Sequence, residues 1–245
     1  MNWGKWTDED ELYLYLDSVN YTEYIPDDFN KFVLDRINDD SIPVKILADL
    51  PDNDIHIAHT PPFGAVLSVK SEKYFYPWNF SNVARNMVRP RLSLIDYDGD
   101  GIDELAVIHN IGSGTQYYVE ELHIIELDEH MTTTAVTYET IKDLLSQRLS
   151  AYFDPTEEEI IVKLDDQIVS GGYLSPNDRK MFGDFQRLDL ESIISFNADS
   201  DALTVDLSIG LVTSAPSYNH IKFYADVIYD GSSLSLSNCR IAPYE

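Results

Sequence analysis

The sequence predicts an α+β protein: antiparallel β-sheets built as meanders and hairpins, with a few packing helices. Three observations carry that prediction. Apolar residues recur at helical spacing near the N-terminus and again near residue 140, they alternate with a period of two through most of the remainder, and short turns rich in Gly, Pro, Asn and Asp separate the alternating runs.

Two helices are expected first. In "TDEDELYLYLDSV" Thr7 is an N-cap, acids fill the first turn, and Leu12, Tyr15, Leu16 and Val19 share one face. "PDDFNKFVLDRIN" repeats the pattern, with Pro26 at the start and Phe29, Phe32, Val33 and Ile37 on one side. From Ile42 the period changes. "IPVKILADL", "DIHIAHT", "GAVLSVKS" and "KYFYPW" read as strands separated by turns at "PDND", "TPPFG" and "KSEK". "RPRLSLI" and "ELAVIHNI" then flank an acidic loop, followed by the turn "GSGTQ" and a longer strand, "YYVEELHIIEL". "YETIKDLLSQRLSAYF" predicts an amphipathic helix over 138–153, with Ile141, Leu144, Leu145, Leu149 and Tyr152 on one side. "EEIIVKL" and "QIVSGGYL" are strands, "SPNDRKMFGD" is turn-rich, "DLESIISF" is a short helix, and "ALTVDLSIGLVT", "IKFYADVIY" and "SLSLSNCRI" are strands again, the last two joined by the hairpin turn "YDGSS". No fixed-period repeat is visible, which argues against a propeller or solenoid made of this chain alone. The chain reads as a single α+β unit, with a division open into residues 1–130 (helical start and acidic-loop meander) and 138–245 (helix and C-terminal sheet), the boundary falling between about 128 and 158.

Composition narrows the function. With 44% hydrophobic residues the chain can bury a full core, but 17 basic against 43 acidic residues leave a formal charge of -26. Such a field repels phosphate backbones and anionic lipid, so nucleic-acid partners are not expected, whereas cations and basic partners are favoured. One cysteine, Cys239, excludes an internal disulfide and every multi-cysteine metal site; it reads as a buried thiol in a strand. No stretch reaches the roughly 18 apolar residues of a membrane span, and the N-terminus lacks the basic and apolar regions of a signal peptide. The sequence fits either a cytosolic protein or an exported one whose signal has been removed.

The chemical signature is "LIDYDGDGIDELAVI", residues 94–108. Asp96, Asp98 and Asp100 alternate, so a curled loop can aim all three carboxylates at one point, and Gly99 and Gly101 permit the left-handed backbone such a curl needs. The main-chain carbonyl of Ile102 and the carboxylate of Glu104 extend the oxygen set, with Asp103 as the spare acid. Hard divalent cations take oxygen ligands; Ca²⁺ accepts about six to eight at irregular angles, whereas Mg²⁺ demands tighter octahedral geometry. Ca²⁺ is therefore the expected ion, in a structural role. An EF-hand would place a bidentate acid where Val107 stands, so the loop is the shorter kind, closed by Glu104 and flanked by strands. The competing reading is an Asp-rich turn that binds nothing.

"DYDGDGIDELAVI" resembles the calcium loop of FG-GAP and VCBS-type repeats, whose ligands fall on Asp96, Asp98, Asp100, the Ile102 carbonyl and Glu104. The wider stretch from "FGAVLSVKSEKYFYPW" through "GSGTQYYVEELHIIEL" resembles a poorly characterised group of clostridial secreted proteins and lipoproteins. That resemblance implies export from a Gram-positive cell, with a lipid anchor upstream or release outside. Single loops of this kind bind Ca²⁺ at about 10⁻⁴–10⁻³ M, which suits an extracellular module.

Other candidates are weaker. His56 and His59, three apart in a strand, face opposite sides of a sheet. His109 and His123 lie on neighbouring strands and can pair across the hairpin, with Ser113 or Thr115 as an imaginable nucleophile, but no nucleophile elbow surrounds them. "GSGTQ" lacks the helix that a phosphate site requires. Tyr74, Phe75, Tyr76, Trp78 and Phe80 read as core, with sugar or peptide stacking as the alternative. The functional expectation is a non-enzymatic, extracytoplasmic calcium-binding protein, surface-associated, with a cell-surface protein or glycan as partner. Two alternatives stand beside it: a secreted hydrolase of polysaccharide or cell-wall material with a structural Ca²⁺, and a cytosolic protein whose acidic loop is vacant.

Overall fold

The computed structural model describes residues 45–60, 64–78, 80, 88–114, 117–198, 202–214 and 219–243. Among them 62% lie in strands and only 10% in helices, so the α+β expectation is corrected: the described chain is nearly all sheet, with two α-helices and three sheets. The two helices expected over Thr7–Val19 and Pro26–Asn38 lie outside the described residues.

Two of the expected helices are overturned in whole or in part. The helix expected over 138–153 stops early: α1 is Tyr138–Leu145, and β9 follows at Leu149–Asp154. Leu149, Ala151 and Phe153 pack on the core with a period of two while Tyr152 is exposed, so alternation wins over the helical spacing of Leu145, Leu149 and Tyr152. "DLESIISF" belongs to β12, Arg187–Asn197. A register shift between Leu190 and Ile194 against β13 (Leu203–Val212) inserts extra residues there, and the bulge accommodates the helix-like spacing of Leu190, Ile193 and Ile194. Conversely, α2, Pro176–Phe182, forms where the sequence suggested turns: Ser175 and Asp178 make a reciprocal capping box and Pro176 occupies the first turn.

The chain divides into two compact units, Met1–Pro90 and Arg91–Glu245. In the first, β1 (Lys45–Leu50), β2 (Ile55–Thr60), β3 (Gly64–Val69) and β4 (Glu72–Tyr76) form an antiparallel meander in chain order. Ile55, Ile57, Leu67 and Phe75 are buried in it, as are Trp78 and Phe80 just beyond it.

The second unit contains the 128–158 interval and holds the acidic loop and the C-terminal strands in one sheet. That eight-stranded sheet runs β15-β14-β13-β12-β7-β6-β5, with β8 also pairing along β7. Its strands are β5 (Arg91–Ile95), β6 (Glu104–Gly114), β7 (Tyr117–Ile125), β8 (Thr133–Val136), β12, β13 (Leu203–Val212), β14 (Asn219–Tyr229) and β15 (Leu234–Pro243). All its described pairings are antiparallel except the β7–β12 joint, where Ile193 faces Tyr118 and Ile194 faces Val119. A separate antiparallel sheet, β11-β10-β9, comprises β9, β10 (Glu159–Leu164) and β11 (Gln167–Tyr173). Ile160, Val162 and Leu164 of β10 join Ile141 and Leu145 of α1 and Ile108, Leu122, Leu207 and Phe223 of the large sheet in one buried cluster. Cys239 is buried in it, as expected of a lone thiol in a strand.

Buried polar groups tie the sheet across its parallel joint. Glu120, 1% exposed, accepts both Arg91 guanidinium nitrogens at 2.8 and 2.9 Å, the Tyr118 hydroxyl at 2.6 Å and the Phe196 N–H at 2.9 Å; Arg91 also donates to the Phe196 carbonyl at 2.7 Å. Burial pushes the Glu120 carboxyl up, but hydrogen bonds from Arg91, Tyr118 and Phe196 outweigh it and hold the group below the usual carboxylate range.

Candidate metal centres

The acidic loop connects β5 to β6, and its curl is fixed by its own carboxylates. Asp96 accepts the N–H groups of Gly99 (2.7 Å) and Gly101 (2.9 Å), Asp98 that of Asp100 (2.9 Å), and Asp100 that of Ile102 (2.7 Å). The bonds to Asp98 and Asp100 are Asx turns, those to Asp96 reach further along the loop, and Gly99 (φ 82°) and Gly101 (φ 91°) make the curl possible. A carboxylate oxygen has two lone-pair directions, so each can hold an N–H and still face a cation.

Glu104 opens β6 at the foot of the loop and is fully buried. Its Oε2 accepts the Tyr97 N–H at 2.6 Å, but Oε1 has no hydrogen-bond partner among the described residues. Burial, opposed by the Tyr97 N–H and assisted by the Asp98 and Glu126 charges, raises the Glu104 pKa. Asp96, Asp98, Asp100 and Glu104 each place one ligand atom within 4.8 Å of the others. A Ca²⁺ ion with oxygens at about 2.3–2.6 Å spans that distance. In the absence of a cation each pair of such charges repels by roughly 1–3 kcal/mol at effective dielectric constants between those of water and a protein surface. The side chains of Ile102 and Asp103 are exposed, as expected of residues that offer only a carbonyl or stand aside.

One neighbour of this loop was not legible in the sequence. Gly231, at φ 82° in the β14–β15 turn, approaches so closely that an added Cβ would lie 2.6 Å from Asp98 Oδ2. Nothing in the sequence links two turns more than a hundred residues apart.

A second constellation sits further along the same hairpin. In the β6–β7 register His109 faces Glu121 and Val107 faces His123, so the two histidines are diagonal neighbours on one face. Their Nε2 atoms are 3.0 Å apart, and Glu121 Oε2 lies 3.8 Å from His109 Nε2 and 3.6 Å from His123 Nε2. His109 and His123 are buried; Glu121 is half-buried, and the two imidazoles beside it, His123 foremost, keep its carboxyl below the usual range against the effect of burial. The pairing across the hairpin was expected; its third member was not. The signal was the Glu-x-His spacing at 121 and 123, which puts both side chains on one face of a strand. Thr115 lies outside the described residues.

The remaining candidates carry no site. His56 bonds Asp54 at 3.3 Å and His59 meets the edge of the Phe80 ring, with centroids 5.6 Å apart. Phe75, Trp78 and Phe80 are buried, and Tyr76 stacks on Trp78 at 4.5 Å, which is packing. Comparison of the chain with protein-family models, with characterised proteins and with solved structures finds no match. Among the described residues, no helix is long and apolar enough to cross a membrane.

Proposed function

We propose that this protein is a non-enzymatic, extracytoplasmic calcium-binding protein in which Ca²⁺ joins the β5–β6 loop to the start of β6. The observation that carries the reading is Glu104: a buried carboxylate with one oxygen unpartnered among the described residues, beside three aspartates whose ligand atoms lie close together. A buried, unsatisfied anion among like charges is costly, and a divalent cation attracts each carboxylate more strongly than the carboxylates repel one another. The ligands are Asp96, Asp98, Asp100 and Glu104, with the Ile102 carbonyl as the main-chain oxygen. A loop of this kind, binding at about 10⁻⁴–10⁻³ M, fills where free Ca²⁺ is millimolar, which supports export or surface anchoring. The partner class is a protein or glycan at the cell surface. A polar groove on β12–β15, around Asp206, Tyr224, Asp226, Asn238 and Arg240, is the surface on which to test for it.

Ca²⁺-linked stability tests this. About 10 mM Ca²⁺ against such a dissociation constant stabilises the folded state by about 1.4–2.7 kcal/mol. For a unit of roughly 150 residues that raises Tm by roughly 3–11 °C over the same protein in EDTA. An unchanged melting temperature, with no heat of binding on titration, would remove the proposal. Hydrolysis of a cell-wall polysaccharide that is lost on substitution of Asp206 or Asp226 would replace the binding role with an enzymatic one.

A further inference from the structure

We propose that His109, Glu121 and His123 form a second metal site, chemically distinct from the acidic loop, that binds a borderline divalent transition ion of the Zn²⁺ type. The argument begins with the separations. Distances of 3.0, 3.6 and 3.8 Å among His109 Nε2, His123 Nε2 and Glu121 Oε2 define a triangle whose centre lies about 2.0 Å from all three atoms, the length of zinc bonds to imidazole and carboxylate. An ion a few tenths of an ångström out of that plane completes the base of a tetrahedron without movement of the backbone.

Ring orientation agrees. The imidazole planes are within 10° of parallel and their centroids are 5.0 Å apart, 2.0 Å more than the 3.0 Å between nitrogens, so the two Nε2 edges face each other. Before metal enters, one Nε2–H donates to the other Nε2. Metal binding requires the donor ring to carry its proton on Nδ1 instead, so that both Nε2 lone pairs are open to the ion. Glu121 supplies one negative charge and is the most exposed of the three ligands, His109 being fully buried; a water is the expected fourth ligand.

The donor set separates this site from the loop. Paired imidazoles select zinc-like ions over Ca²⁺, whereas an all-oxygen cluster does the reverse. Glu104 and His109 are five residues apart on β6 with no register shift between them, so their side chains leave opposite faces of the sheet, about 16 Å apart along the strand. The inference stands whether or not the loop binds Ca²⁺.

The test uses the full chain, stripped with EDTA, with Zn²⁺ titrated by calorimetry and Co²⁺ followed by visible absorption. One Zn²⁺ site is expected, with a tetrahedral Co²⁺ spectrum, unaffected by excess Ca²⁺ and retained in Asp98→Asn. Changes to outer-shell groups alone weaken metal sites about 10–100-fold, so His109→Gln and His123→Gln, which remove a direct ligand, are expected to lose at least that much affinity. Zn²⁺ affinity unchanged in both histidine variants, or abolished by Asp98→Asn, overturns the proposal. If the histidine variants do not fold, imidazole nitrogen NMR of the unsubstituted protein decides: Zn²⁺-induced shifts at His109 and His123 Nε2 support the site, and shifts confined to the other histidines overturn it.

Discussion

Removing Arg91 should harm this protein more than removing the acid it binds, and the difference should depend on pH. Glu120 is 1% exposed as a side chain whereas Arg91 is 42% exposed, so the pair is buried at one end only. In Glu120→Ala the guanidinium rehydrates and the Phe196 N–H and Tyr118 hydroxyl lose an acceptor, a loss of about 2–3 kcal/mol. In Arg91→Met the carboxylate stays buried without its cation, and breaking such a pair costs about 3–5 kcal/mol at neutral pH. For a unit of roughly 150 residues that lowers Tm by roughly 6–20 °C. In the unsubstituted protein the Glu120 pKa is depressed, so its stabilisation is complete above the unfolded value of about 4.3 and is lost as pH falls through the folded one. In Arg91→Met burial dominates and the folded pKa rises above the unfolded one. The damage is then small in acid and grows as pH rises toward 7. Urea denaturation at pH 5 and pH 7 measures both effects. Arg91→Met costing less than Glu120→Ala at pH 7, or costing the same at both pH values, would refute the reasoning.

Glu104→Gln is expected to abolish Ca²⁺-linked stabilisation while leaving the metal-free protein at least as stable at pH 7, because burial already raises the Glu104 pKa; matched melts in EDTA and Ca²⁺ check this. For the same reason the metal-free protein should gain stability from this group as pH falls from 7 toward 5, and Ca²⁺ should erase that gain. Gly231→Ala places a Cβ against Asp98 at a left-handed φ, so it should cost about 1–2 kcal/mol and weaken Ca²⁺ binding measured by calorimetry. Phe223→Ala, deep in the core of the second unit, should cost about 3–5 kcal/mol in denaturant unfolding without changing Ca²⁺ affinity.

The strands were legible because each announces itself by alternation and by a turn at its end: β2, β3, β6, β7, β10, β13, β14 and β15 all begin within a few residues of where the sequence places them. Errors fall where two periods overlap. Leu149 and Tyr152 sit at helical spacing from Leu145, yet Ala151 and Phe153 complete a strand. Leu190, Ile193 and Ile194 look helical, and a bulge in β12 accommodates that spacing. β8, Thr133–Val136, is too short and too polar to stand out, and exists because β7 offers it an edge. At the acidic loop the spacing of Asp96, Asp98, Asp100 and Glu104 was sufficient to bring the four together, since all four lie within one short loop and the strand start that follows it. The approach of Gly231 depends on tertiary placement, which no local pattern encodes; Glu121 and His123 share a strand face by their spacing alone, and only the β6–β7 register adds His109 to them.

The β7–β12 joint sets the order in which the large sheet assembles. Two residue pairs, Tyr118 with Ile193 and Val119 with Ile194, unite the β5–β8 and β12–β15 halves, and α1, β9–β11 and α2 lie between them in the chain. Closing a loop of about seventy residues costs about 2–3 kcal/mol more entropy than closing a hairpin. That cost makes the seam the part of the sheet expected to form last, with the Arg91–Glu120–Phe196 clamp closing it. Amides flanking that seam should be the first of the buried set to exchange with deuterium, and a force applied across it should part the protein into two intact meanders before either unravels.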